Sequence, residues 1–172
     1  MQLVRTDDFE TVRSKYIEII EKTPGIREHA CWIYGWHPSD ASLKAYVDDR
    51  EMYLLMDEDR VAGLVAIVLH QDADYEPVAW AEPLPNDEAA VLHLLAVCPD
   101  YRGKGVGRIL VEKAVEQVRK SGKKAVRLDT LKSNLPAQRL YESTGFSFRG
   151  TRHAQAEGTV WFDFYYYEKV LE

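Results

Sequence analysis

Residues 89–98 form a strongly apolar run that Pro99 cuts short, and Gly103, Gly105 and Gly107 then open an amphipathic helical pattern over 105–121. A second apolar run follows at 125–131. Strand, crossover helix and strand of these lengths pack as a right-handed unit with the two strands parallel. The turn 97–108 then lies where a buried strand ends and a helix begins. Glycines there let backbone approach a ligand with no Cβ in the way. Helix N-terminal amides favour an anion at the same place. Arg102, Lys104 and Arg108 concentrate positive charge in a chain whose net charge is −6. A diphosphate is the natural guest. The dinucleotide fingerprint fails, because its third glycine falls on Arg108 or Leu110, and no Gly-Lys-Ser/Thr marks a nucleotide P-loop. The spacing alone also fits a plain strand–helix turn with solvated basic side chains.

The rest of the chain supplies partners for this unit. Residues 2–5 read as a strand. Residues 7–22 read as a helix capped by Thr6 or Asp7, with Phe9, Val12, Tyr16, Ile19 and Ile20 at helical spacing. A second helix is expected at 39–49, a hairpin at 52–56 and 61–70, and an acidic, proline-bearing loop at 72–88. A short helix at 134–144 and strands at 146–152 and 159–171 close the chain. The expected fold is α/β (α+β): one domain over 1–172, a mixed sheet with helices on both faces.

Composition narrows the function classes. At 46% hydrophobic and 29% charged, the chain reads as a soluble globule. The negative net charge speaks against generic nucleic-acid binding. Cys31 and Cys98 read as reduced thiols, with no disulfide framework and too few ligands for a zinc site, so no metal is expected. No secretory leader is visible, and the apolar run 61–69 is too short to span a bilayer. The expectation is a cytoplasmic protein without membrane partners.

The second informative stretch is Asn134-Leu135-Pro136-Ala137-Gln138-Arg139-Leu140-Tyr141-Glu142-Ser143-Thr144-Gly145-Phe146. Ala137, Leu140, Tyr141 and Thr144 share one helix face, which turns Tyr141 toward the core or a cleft. By itself this pattern also describes a packed aromatic. Taken with Arg102, Gly105 and Gly107, however, it resembles the GCN5-related N-acetyltransferase superfamily. That family carries Arg/Gln-x-x-Gly-x-Gly/Ala after a strand and Asn-x-x-Ala-x-x-Leu-Tyr-x-x-x-Gly-Phe one helix and one strand later.

The resemblance implies a mixed, mostly antiparallel sheet whose two central parallel strands splay around acetyl-CoA. Leu95, Ala96 and Val97 would pair with the pantetheine arm. The amides of Gly103, Lys104, Gly105, Val106, Gly107 and Arg108, with Arg102, would hold the pyrophosphate. Asn134 would face the pantetheine arm, with Ala137 in the same cofactor-binding set, and Tyr141 would reach the thioester sulfur. The implied reaction is direct acetyl transfer to a small amine or an amino terminus. An alkyl ammonium of pKa ~10.4 must lose a proton before attack, and a phenol of pKa about 10 can protonate a leaving thiolate of pKa ~8.5. Tyr141 is the expected acid. His93 is the candidate base, placed by strict strand alternation on one face with Leu95 and Val97. Glu88 and Glu82 are rival bases from the acidic loop.

Trp32, Tyr34, Trp36 and Glu88 are the expected acceptor-binding residues, and the acidic run would attract a cationic amine. The aromatic strand 160–167 suggests a second apolar surface, facing either the acceptor or a homodimer partner. A non-catalytic acyl-CoA-binding module and a transferase of a different acyl group are the competing functions.

Overall fold

A computed structural model describes residues 1–156 and 160–172. The order of elements is β1 (Gln2–Arg5), α1 (Phe9–Lys22), α2 (Ile26–Ala30), α3 (Asp40–Asp48), β2 (Met52–Asp57), β3 (Arg60–Val68), β4 (Ala89–Val97), α4 (Val106–Lys120), β5 (Ala125–Leu131), α5 (Leu135–Ser143), β6 (Ser147–Ala156) and β7 (Val160–Val170). Thr159, the expected first residue of the last strand, lies outside the described residues.

Local chemistry accounts for the helix ends. Asp8, one residue later than expected, caps α1 by accepting from the Thr11 amide at 3.0 Å. Ser39 and Ser42 form a reciprocal capping box on α3. Asn134 accepts from the Ala137 amide at 3.3 Å and opens α5. The five-residue α2 was not expected, since one turn and a half is too short to show a hydrophobic period. Along α4, Val106, Leu110, Val111, Ala114, Val115 and Val118 are buried, each contributing roughly 1–3 kcal/mol by leaving water. Ile109 packs only at the margin of this core.

All seven strands form one mixed sheet in the order β1-β2-β3-β4-β5-β7-β6. Among the described residues only β4 and β5 are parallel, as the crossover requires. Their pairing stops early: Ala89, Ala90 and Val91 match Ala125, Val126 and Arg127, and no rung follows. Beyond Val91 the two strands diverge, opening a V between residues 92–97 and 128–131.

A bulge in β4 reinforces this split. Across β3, Leu64 faces Ala96 but Ala66 faces His93, so β4 carries the extra residue. Leu94 adopts φ +52° there, and the buried Tyr16 hydroxyl of α1 donates to its carbonyl at 2.6 Å. Strict alternation along β4 therefore fails. The expected shared face of His93, Leu95 and Val97 is broken by this inserted residue.

The segment 69–88 is tied down by a buried ionic cluster. Arg127 and Glu168 are wholly buried, with Arg127 Nη2 2.9 Å from Glu168 Oε1. The guanidinium also donates to the Gln71 side chain and the Glu82 carbonyl, and it lies 4.3 Å above the Trp80 ring. Glu168 accepts the Ala81 amide at 2.8 Å and Arg149 Nε at 3.0 Å.

Candidate active site

Two cavities meet in the V. The first, about 430 Å³, lies between α1–α2, the far end of β4, the turn before α4, and α5. Its floor is Leu95, Ala96 and Val97, on the edge of β4 that has lost its strand partner. Its end is the glycine turn. Gly103 and Gly105 hold φ +71° and +76°, the left-handed region that strains any other residue. A Cβ on Gly107 would come within 3.3 Å of Leu140.

The amides of residues 103–107 meet no protein acceptor among the described residues, whereas Arg108 N donates to Gly105 O at 3.1 Å. Arg102 lines the cavity, and burial lowers its pKa, though an arginine stays cationic at neutral pH. The side chains of Lys104 and Arg108 do not line it. Lys104 Nζ donates to the Asp100 carbonyl at 2.7 Å, and Arg108 donates to the Ser143 carbonyl at 2.9 Å. Their expected charge is thus spent on local backbone acceptors.

This cavity fits the coenzyme that the turn suggests. It offers open amides for a diphosphate, an unpaired strand edge for an amide-bearing arm, and apolar walls from Ile19, Ile26, Val106 and Leu140. Thr23 Oγ1 is buried at its border without a hydrogen-bond partner, a polar atom that a bound ligand can satisfy. Asn134 and Ala137 lie along its α5 side.

The second cavity, about 740 Å³, lies on the other side of Tyr141. Ala30, Trp32, Leu95, Asn134, Ala137 and Tyr141 border both, so they mark the junction. Tyr141 is 7% exposed, packs 6.0 Å from Phe146 and from Tyr167, and its hydroxyl makes no hydrogen bond among the described residues. Burial, then the charge of Asp129, pushes this phenol far above its ordinary pKa.

His93 lines the second cavity between the rings of Tyr46, at 6.0 Å, and Tyr75, at 6.3 Å. Burial holds its pKa below 6.5, against the opposing pull of Asp129 and Asp72. Its imidazole is therefore neutral at pH 7.

The acceptor-side expectations divide. Trp32 and Trp36 line the second cavity, with Trp36 packed 6.4 Å from Phe162. Tyr34 lines neither cavity: its hydroxyl is bound to Asp40 and Arg13 covers its ring at 5.9 Å. It follows Trp32 by two residues, but the turn that pairs Ile33 with His37 sends it outward. Glu88 is also displaced. It precedes β4, about 16 Å along the strand from His93, and pairs with Lys124 at 2.6 Å. Glu82 lies outside both cavities, and its carbonyl holds Arg127.

Sequence reading missed Asp129 and Tyr75. The Tyr75 hydroxyl donates to the Asp129 carboxylate inside the second cavity. The signal was present as Arg127 and Asp129, two charges at alternate positions of an otherwise apolar strand. From the acidic run, Asp72 and Asp74 line the cavity, and Phe162, Phe164 and Tyr166 line it from β7. No cluster of three metal-ligating side chains exists among the described residues, and no helix there is long and apolar enough to cross a membrane.

A model of the acetyltransferase (GNAT) family matches residues 20–146. The mycothiol acetyltransferase of Geodermatophilus obscurus is 30% identical over 123 residues, covering 70% of this chain and 36% of that protein. The ribosomal protein bS18-alanine N-acetyltransferase of Escherichia coli is 41% identical over 61 residues, 36% of this chain and 40% of that one. The chain thus matches well under half the length of these relatives. Among solved structures, the acetyltransferase yncA of Salmonella typhimurium, determined with acetyl-CoA, superposes with a TM-score of 0.71 at 18% identity, covering 100% of this chain and 94% of that one. That likeness is one of fold.

Proposed function

Because the chain belongs to the acetyltransferase (GNAT) family, we propose that it transfers an acetyl group from acetyl-CoA directly to an amine. The observation that carries this reading is Tyr141: a buried phenol with an unpartnered hydroxyl, standing where a coenzyme-shaped cavity meets a second, ring-lined one.

The roles follow from position. The amides of residues 103–107 and the Arg102 guanidinium bind the diphosphate, and the open edge of Leu95, Ala96 and Val97 aligns the arm. The thioester supplies an activated acyl group. Tyr141, its proton held firmly by burial, donates that proton to the departing sulfur. His93, neutral at pH 7, accepts the proton that the ammonium must lose before its nitrogen attacks. Asp129, braced by the Tyr75 hydroxyl, offers the negative charge that holds the ammonium near His93. No covalent enzyme intermediate is needed. Cys98, buried with its thiol pKa pushed up to about 11, is unsuited to be a nucleophile.

Release of free thiol from acetyl-CoA, followed across a panel of amines, tests the reading. Amine-dependent release is expected. Tight coenzyme binding with no release on any amine supports a binding module instead.

A further inference from the structure

The second cavity carries more than the presence of an acceptor; it constrains what kind of molecule the acceptor is. Away from the Tyr141 junction its wall is built of Trp36, Phe162 and Phe164. Phe162 sits 6.4 Å from Trp36 and 6.3 Å from Phe164, with the two phenylalanine rings nearly perpendicular at 79°. All three are only partly buried, so apolar faces remain open to the cavity. At the inner end lies Asp129, bound to the Tyr75 hydroxyl. Arg152, which lines the same cavity, is engaged with the Asp74 carbonyl, and among the described residues no ion pair reaches Asp129.

The backbone around the cavity is equally informative. β5 is paired with β7 along its length, from Ala125 opposite Val170 to Leu131 opposite Phe164, and β7 is paired with β6. On its β7 face the cavity therefore presents rings and carboxylates, while the open strand edges lie in the V beyond Val91 and Arg127 and on the outer side of β6. An extended peptide would find no ladder of hydrogen bonds on that ring-lined β7 face, whose strand is paired on both sides. A flat apolar body finds ring faces, and its ammonium finds a carboxylate beside a neutral imidazole.

Building on the acetyl-transfer reading above, we propose that the acceptor is a primary amine joined by a short alkyl spacer to an aromatic body of one or two rings. The ring system stacks in the Trp36–Phe162–Phe164 wall, and the ammonium lies at Asp129. In the transfer, the new C–N bond forms as the C–S bond breaks. Of the two protons the ammonium loses, one leaves through His93 to solvent. The other balances the proton that Tyr141 gives to the sulfur, which departs as a thiol.

The experiment compares tryptamine and phenylethylamine with spermidine and an alanine-initiated hexapeptide, by thiol release with the full chain, and measures acetyl-CoA binding separately by calorimetry. The expected result is a kcat/KM for tryptamine at least 10²-fold above that for spermidine or the peptide. Trp36→Ala and Phe162→Ala should each raise the tryptamine KM about tenfold and leave the acetyl-CoA KM within twofold. Preference for the peptide or spermidine, or an unchanged tryptamine KM in both variants, overturns the acceptor class while acetyl transfer stands. Coenzyme binding with no release on any amine overturns acetyl transfer itself, and the acceptor class with it.

Discussion

Tyr141 has a feature that separates it from an ordinary core tyrosine: its ring is packed, yet its hydroxyl is unpaired and faces two cavities. The ring is buried, but the hydroxyl opens onto the cavities and is not sealed in the core, so an incoming ligand can bond it. Tyr141→Phe keeps the packing and removes only the hydroxyl, the proposed acid. It is expected to lower kcat about 10²-fold while coenzyme affinity, read by calorimetry, stays within about twofold. An unchanged kcat would remove Tyr141 from the chemistry. As the proposed base, His93 would set the pH dependence. Its folded pKa lies below the unfolded 6.5, so the neutral base is present at pH 7 and is lost only under more acidic conditions. The kcat profile should therefore show an acid limb with a midpoint below 6.5. His93→Gln should abolish that limb. The phenol, pushed upward, adds no alkaline limb below about pH 10. The same shift has a stability consequence. The unfolded chain takes up the His93 proton first, so this contribution is complete above about pH 6.5 and declines as acid protonates the unfolded state.

The β4 bulge and the glycine turn do most to make the cavities. Tyr16, reaching from α1, fixes the Leu94 carbonyl and with it the backbone step at which β4 leaves β5. Tyr16→Phe leaves that carbonyl short of its donor in a buried setting. The expected loss is about 1–3 kcal/mol in urea unfolding, together with a fall in kcat from the displaced floor of the site. A variant of wild-type stability and wild-type kcat would show that the latch does not matter. These elements also show what was legible beforehand. The crossover unit, both hairpins and the glycine turn could be read because period and glycine spacing are local properties. The bulge was not legible, because register depends on the neighbouring strand, and strict alternation put His93, Leu95 and Val97 together wrongly. Tyr34 and Glu88 were misplaced for a related reason: closeness in sequence to Trp36 or to the acidic loop says little about which way a turn sends a side chain. Asp129 was legible in principle, as a charge in a central strand, but its importance comes from Tyr75, 54 residues away along the chain.

The fold as a whole depends on an ionic device distant from the glycine turn. Arg127 and Glu168 clamp the segment 69–88 onto β5 and β7, and that segment carries Asp72, Asp74 and Tyr75 into the second cavity. A buried pair is weak evidence for stability in itself, but removing Arg127 strips Glu168 Oε1 of its guanidinium contacts, leaves the Gln71 side chain and Glu82 carbonyl without their donor, and leaves Arg149 alone to offset the buried carboxylate. Arg127→Met is expected to cost about 3 kcal/mol in chemical denaturation and to raise the acceptor KM more than the acetyl-CoA KM. Equal changes in both KM values would mean that the clamp serves the fold alone. The deeper dependence is on the junction at the end of β4, where unpaired amides and left-handed glycines form the seat proposed for the coenzyme. Isothermal titration of acetyl-CoA into the protein and into its Gly105→Asp variant addresses this directly. Saturable one-to-one binding by the wild type, abolished in a variant that remains folded by circular dichroism, is the expected outcome. No binding by the wild type, or equal binding by both, would contradict it.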